Sequence, residues 1–177
     1  MLSLVTILVL PGCQTFSNGP APYPWFRDVS GPSGIQGGNY LEDPPSRIPL
    51  NGHARTRVSD LNGDGYDDLI MHSLFPNVSA GIPFETLVFL SNGDGTFRDF
   101  SEQSGLMEVQ AGFMLFADFD NDGDQDAFAG LDIPIEGEPN NAIYLNDGTG
   151  RFSFLPDSGG AYEANLLTGT AVAADLD

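Results

Sequence analysis

The sequence predicts an all-β protein assembled from repeated four-stranded antiparallel units. Three observations carry that expectation. Segments recur in the same order at spacings of 55 to 58 residues, and self-similarity at such a period marks repeat architectures. The 177 residues include 22 Gly and 13 Pro, which suits many tight turns. No stretch sustains a helical apolar period over about three turns.

The repeats are visible in three alignments. Asp60-Leu-Asn-Gly-Asp-Gly-Tyr-Asp-Asp68 recurs 58 residues later as Asp118-Phe-Asp-Asn-Asp-Gly-Asp-Gln-Asp126, and a third start, Ala174-Asp175-Leu176-Asp177, lies 57 further on. Phe89-Leu-Ser-Asn-Gly-Asp-Gly-Thr-Phe97 recurs as Tyr144-Leu-Asn-Asp-Gly-Thr-Gly-Arg-Phe152, offset by 55. Phe26-Arg-Asp-Val-Ser-Gly-Pro-Ser-Gly-Ile35 matches Phe97-Arg-Asp-Phe-Ser-Glu-Gln-Ser-Gly-Leu106, with six of ten positions identical.

Each repeat resolves into four short strands. In the first they are Thr56–Ser59, Leu69–Ser73, Thr86–Leu90 and Thr96–Ser101. In the second they are Gly112–Ala117, Ala127–Leu131, Asn141–Leu145 and Arg151–Leu155. Asn-Gly and Asp-Gly pairs tolerate positive φ and suit the turns between them. Leu87-Val-Phe-Leu90 and Phe113-Met-Leu-Phe116 are continuously apolar, as strands are when both faces are buried. Phe97-Arg-Asp-Phe-Ser101 mixes charge with aromatics, as a half-exposed outer edge does. Four-stranded units buried on both faces are the blades of a β-propeller. Two repeats, about 53–104 and 111–160, are complete, and a third begins at 168–177. A propeller closes with about four to eight blades, so the expectation is a propeller fragment. Phe26–Ser30 is expected to be a fourth strand without its preceding three, and 36–49 a surface loop.

The formal net charge is −19, from 25 acidic and 6 basic residues. That balance argues against nucleic acid or an anionic membrane surface as a partner, since both require clustered Lys and Arg. With 41% hydrophobic residues, 13 Phe and 5 Tyr, a packed core is within reach, so the acid excess calls for counter-charge, and divalent cations can supply it.

The aspartate loops carry the candidate chemistry. Calcium takes six to eight oxygen ligands. In the first loop Asp60, Asn62, Asp64 and Asp68 offer side-chain oxygens at positions 1, 3, 5 and 9, and Tyr66 its carbonyl at position 7. In the second, Asp118, Asp120, Asp122 and Asp126 do so, with the Asp124 carbonyl at position 7. Gly65 and Gly123 allow the sharp turn. Asp175 and Asp177 fill positions 1 and 3 of a third loop. Magnesium suits the pattern less, because it demands rigid octahedral geometry; zinc is disfavoured because no Cys or His falls in either loop. Position 12 is Met71 in one loop and Ala129 in the other. These are therefore not EF-hands, and position 9 must close the shell.

The aspartate nonapeptide, the Asn-Gly-Asp-Gly-x-Phe turn and the Phe-x-Asp-[Val/Phe]-Ser-x-x-Ser-Gly-[Ile/Leu] segment resemble FG-GAP/VCBS repeat proteins, most closely the cartilage-acidic-protein-like group, and the calcium loops resemble those of integrin α-subunit propellers. The resemblance covers residues 25–177. It implies a propeller, often seven-bladed, with calcium between a blade's first and second strands, and an extracellular setting with adhesion or ligand binding rather than catalysis. No Phe-Gly-Gly-Ala-Pro string is present.

Residues 1–10 form an apolar run too short to span a bilayer as a helix. With Leu10-Pro11-Gly12-Cys13 they resemble a bacterial lipoprotein signal, in which Cys13 would carry the lipid. The run lacks a preceding Lys or Arg, and Pro11 is unusual there; an ordinary cleaved signal or a buried strand are the alternatives. Residues 14–24 read as a linker.

Other candidate sites carry less. His53 and His72 are the only histidines; no Gly-x-Ser-x-Gly elbow accompanies them, and a surface or blade-rim position is expected. Glu136 and Glu138 sit in a Pro/Gly loop that reads as solvated. Gly31–Gly38 lacks a phosphate-binding pattern. Asn77-Val78-Ser79 is a glycosylation sequon. Trp25 and Phe26 are expected to pack under a blade. The functional expectation is a calcium-binding, extracytoplasmic repeat module with a protein or carbohydrate ligand, reaching the membrane only through a lipid anchor. The alternatives are a propeller domain of a larger secreted hydrolase or lyase, and a structural spacer.

Overall fold

A computed structural model of the chain describes residues 29–35, 55–72, 86–131, 141–158, 161 and 167–174. Within them lie two four-stranded antiparallel sheets in simple meander order. The first contains β1 (Arg55–Ser59), β2 (Asp68–His72), β3 (Thr86–Ser91) and β4 (Phe97–Asp99). The second contains β5 (Phe113–Ala117), β6 (Asp126–Gly130), β7 (Asn141–Asn146) and β8 (Phe152–Phe154). These are the two expected propeller blades, with every strand within a residue or two of the expected bounds. Each aspartate loop joins a blade's first and second strands, closing at the pairs Ser59–Asp68 and Ala117–Asp126.

Each fourth strand is shorter than expected. The first stops at Asp99 because the Asp99 carboxylate accepts hydrogen bonds from the Ser101 N–H at 2.9 Å and the Ser101 hydroxyl at 2.6 Å. This turns the chain into a single helical turn, α2 (Ser101–Ser104), which ends on Gly105 at φ 75°. The matching N-terminal segment behaves alike. Ser30 opens α1 (Ser30–Ser33) rather than ending a strand, and Gly34 follows at φ 80°; Phe26–Asp28 lie outside the described residues. A β-carbon on Gly34 would collide with the carbonyl of Phe97, and one on Gly105 with the carbonyl of Phe152. Each helical turn therefore seats on the outer strand of the blade that follows.

Strand alternation sends neighbouring side chains to opposite faces of a sheet. Ile70, Val88 and Leu90 point toward the second blade and pack with Met114, Ala127, Ala129 and Phe152 in one core. Met71, Leu87 and Phe89 point the other way and pack under Ile35. Ile35 and Leu106, equivalent positions after the two turns, are 1% and 0% exposed. Burying a side chain of this size contributes about 1.5–3 kcal/mol. The blades are also bonded edge to edge near β1 and β5, where Arg57 Nε donates to the Met114 carbonyl at 2.9 Å. The Arg151 guanidinium lies 5.3 Å from the Phe100 ring centre, stacking one blade's turn on the other's outer edge.

His72 departs from the expected rim position: it is fully buried at the end of β2. Its Nε2 donates to the Gly112 carbonyl at 3.3 Å, which leaves Nδ1 as an acceptor with no partner among the described residues. The signal region 1–13, the linker 14–24, Trp25, loop 36–49, His53, the Asn77 sequon, and Glu136 with Glu138 lie outside the described residues. Among the described residues no helix is long and apolar enough to cross a membrane.

Candidate metal centre

The nonapeptide loops are held by their own acid side chains. In the first, Asp60 accepts from the Asp64 N–H at 3.2 Å and the Gly65 N–H at 2.8 Å. Asn62 Oδ1 accepts from the Asp64 N–H, and Asp64 Oδ1 from the Tyr66 N–H. The second loop repeats this at Asp118, Asp120 and Asp122, bonding the N–H groups of Asp122, Gly123 and Asp124. Both loops need left-handed backbone at positions 4 and 6. Gly63 and Asn121 supply it at φ 68° and 63°, and Gly65 and Gly123 at 86° and 98°. Position 4 escaped the sequence reading, although an Asn or Gly there was its signal.

Position 9 closes each loop from below. Asp68 is fully buried; one carboxylate oxygen accepts from the Leu61 N–H at 2.9 Å and the other from the Ser91 N–H at 2.8 Å. Asp126, equally buried, takes the Phe119 N–H at 2.8 Å and the Asn146 N–H at 2.9 Å. The position 9 carboxylate thus ties the start of the loop to the end of the third strand. Burial pushes the Asp68 carboxyl up from its ordinary range, against the two N–H bonds that lower it.

Asp118, Asp120 and Asp126 each bring a carboxylate oxygen within 4.8 Å of the others, a group that could hold a metal ion. Among the described residues it is the one such group of three. Asp122 and Asp124 stand outside it. In the first loop the third position holds the amide Asn62, whose Nδ2 donates to Asp64 at 3.0 Å. The surrounding protein desolvates Asp120 and raises its carboxyl, with the charges of Asp122 and Asp126 adding to the rise. Asp124 is raised too, first by desolvation and then by Asp122, Asp126, Asp118 and Asp147. The part of each rise that comes from neighbouring carboxylates marks negative charge gathered in one loop. The donors are oxygen only, which fits a hard cation and disfavours zinc.

Residues 60–129 match the family model of the FG-GAP-like repeat. The stretch runs from position 1 of the first loop to β6, just past the second loop, and so includes both aspartate nonapeptides and the α2 turn. No curated protein and no solved structure matches the chain. Cys13, Asp175 and Asp177 lie outside the described residues.

At position 7 the two loops differ. The Tyr66 ring, half-exposed, lies over Gly93 of the β3–β4 turn, while the Asp124 carboxylate lies over Gly148 of the β7–β8 turn. A further residue missed from sequence is Asn146. It is buried between the blades, with Nδ2 donating to the Leu61 carbonyl at 2.8 Å and the Gln125 carbonyl at 3.1 Å. Leu61 is 85 residues away in sequence, so no local pattern could announce the bond.

Proposed function

We propose that this chain is a calcium-binding β-propeller repeat module of an extracytoplasmic protein, tethered to the membrane through a lipid on Cys13, and that it binds a protein or carbohydrate ligand rather than catalysing a reaction. The observation that carries the calcium reading is the convergence of Asp118, Asp120 and Asp126 in one loop, within a stretch that matches the FG-GAP-like repeat. A calcium ion there would draw on those carboxylates, on Asp122, and on the Asp124 carbonyl. The first loop would use Asp60, Asn62, Asp64, Asp68 and the Tyr66 carbonyl, with one carboxylate fewer. Asp175 and Asp177 would begin a third site. The ion neutralises charges that otherwise repel, so binding and loop folding are one process.

Affinity in the extracellular range is expected, with a Kd of about 10⁻⁴–10⁻³ M or somewhat tighter. At a hundredfold excess over Kd, each site stabilises the fold by about 2.7 kcal/mol. Calcium titration calorimetry on the chain, paired with melting in EDTA, tests this. Two sites are expected, and Asp120→Ala should remove the second while the first still binds. A chain that releases no heat with calcium and melts identically in EDTA would end the proposal. For the anchor, labelled palmitate should enter the wild type and not Cys13→Ser; equal processing of both would remove the lipid from the account.

A further inference from the structure

The geometry points to Asn146 as the residue that couples the two aspartate loops, so that filling one raises the affinity of the other. This rests on the calcium reading and extends it from two sites to a linked pair. A buried run of hydrogen bonds joins position 9 of one loop to position 9 of the next. Asp68 Oδ2 accepts from the Leu61 N–H. The Leu61 carbonyl accepts from Asn146 Nδ2 at 2.8 Å. The Asn146 backbone N–H donates to Asp126 Oδ1, and Asp126 Oδ2 takes the Phe119 N–H. Residue 2 of the first loop is thereby tied to the carboxylate that closes the second.

Asn146 has no slack. Its second Nδ2 hydrogen goes to the Gln125 carbonyl at position 8 of the second loop, and its Oδ1 accepts from the Gly150 N–H at 3.0 Å. The side chain is 5% exposed. A fully satisfied, buried network of this kind is rigid, and its members cannot shift singly without leaving a group unpaired. Ordering the first loop fixes the Leu61 backbone, which fixes Asn146 and holds Asp126 beside Asp118 and Asp120. The equivalent residue of the first blade is Ser91, whose hydroxyl, among the described residues, reaches only the Gly93 N–H of its own turn. The link lies at the junction between these two blades, and Asn146 acts there as a positioning residue rather than a ligand.

A double-mutant cycle read by calcium calorimetry on the full chain tests the coupling. Asp60→Ala should weaken calcium binding at the second loop by about fivefold or more, and Asp118→Ala should weaken the first by the same factor, as linkage requires. Asn146→Ser, which gives this blade the residue of the other, should abolish that factor while both loops still bind. Asn146→Asp is the second variant, retaining shape and the bond from Gly150 but offering Leu61 no donor, and should abolish it too. Independent sites in the wild type, or a factor that persists in either Asn146 variant, would overturn the coupling and leave the calcium reading standing. A wild type with no calcium binding removes both.

Discussion

Asp60–Asp68 and Asp118–Asp126 share the bonds of their backbone N–H groups, yet position 3 is the amide Asn62 in one loop and the carboxylate Asp120 in the other, and position 7 is Tyr66 in one and Asp124 in the other. The loop backbone is therefore indifferent to charge: amide and carboxylate oxygens accept the same N–H. Charge has been varied on a fixed frame. The first loop answers one of its own acids, Asp64, with the Asn62 amide donor. The second concentrates carboxylates, two of them with raised pKa. The blade ends diverge as well. Where β1 and β2 pair Arg55 with His72, β5 and β6 pair Phe113 with Gly130, and the Phe113 ring occupies the space a side chain at Gly130 would need.

The largest effect is expected at what the two halves share. Gly105→Ala forces a side chain into left-handed backbone and against the Phe152 carbonyl, and should cost about 3 kcal/mol or more in denaturant unfolding. Gly31→Ala, at a site with nothing within 4 Å, should stay within about 0.5 kcal/mol of wild type. Equal losses from both would mean that the turn is not seated as described.

Next comes the acid sensitivity that the His72 imidazole gives the first blade. Burial lowers the His72 pKa from 6.5 to about 4, with the Gly112 carbonyl opposing and Arg57 and Arg55 adding to the fall. Above pH 6.5 both folded and unfolded chains hold a neutral imidazole, so stability is flat. Between pH 6.5 and about 4 only the unfolded chain takes the proton, and the native state should lose about 3 kcal/mol across that window. His72→Gln keeps a donor for Gly112 and should remove that component; the difference between wild-type and variant profiles isolates it from the carboxylates.

A smaller change should reverse the ranking of the loops. Asn62→Asp is expected to tighten calcium at the first loop by about tenfold, and Asp120→Asn to weaken the second similarly, because ligand charge count tunes such sites. Unchanged affinities would show that position 3 does not reach the ion. Smallest is Tyr66→Ala, which strips a half-exposed ring from Gly93 and should cost about 0.5–1 kcal/mol in thermal melting.

The blades and loops were legible because their signals are local. Asp-x-[Asp/Asn]-x-Asp-Gly fixes a connection whose bonds span at most seven residues, and Asn-Gly and Asp-Gly place the hairpins. The misreadings came from competing or distant causes. Asp99 and Ser101 formed a side-chain turn where alternation suggested continued strand. His72 looked like a rim residue until Gly112, 40 residues on, closed over it. Asn146 carried no signal, since its partner belongs to another blade.

The seating of Gly34 on Phe97 and Gly105 on Phe152 means that the module of assembly is out of phase with the sheet. A sheet with its own trailing turn carries a lid that fits its successor and leaves its own face uncovered. A segment running from Val29 to Asp99 instead carries the lid for the face it presents. Excision, duplication or grafting of a single blade should therefore be cut ahead of the turn at Ser30 and before that at Ser101. Inserting one such cassette would extend the array without orphaning Ile35 or Leu106.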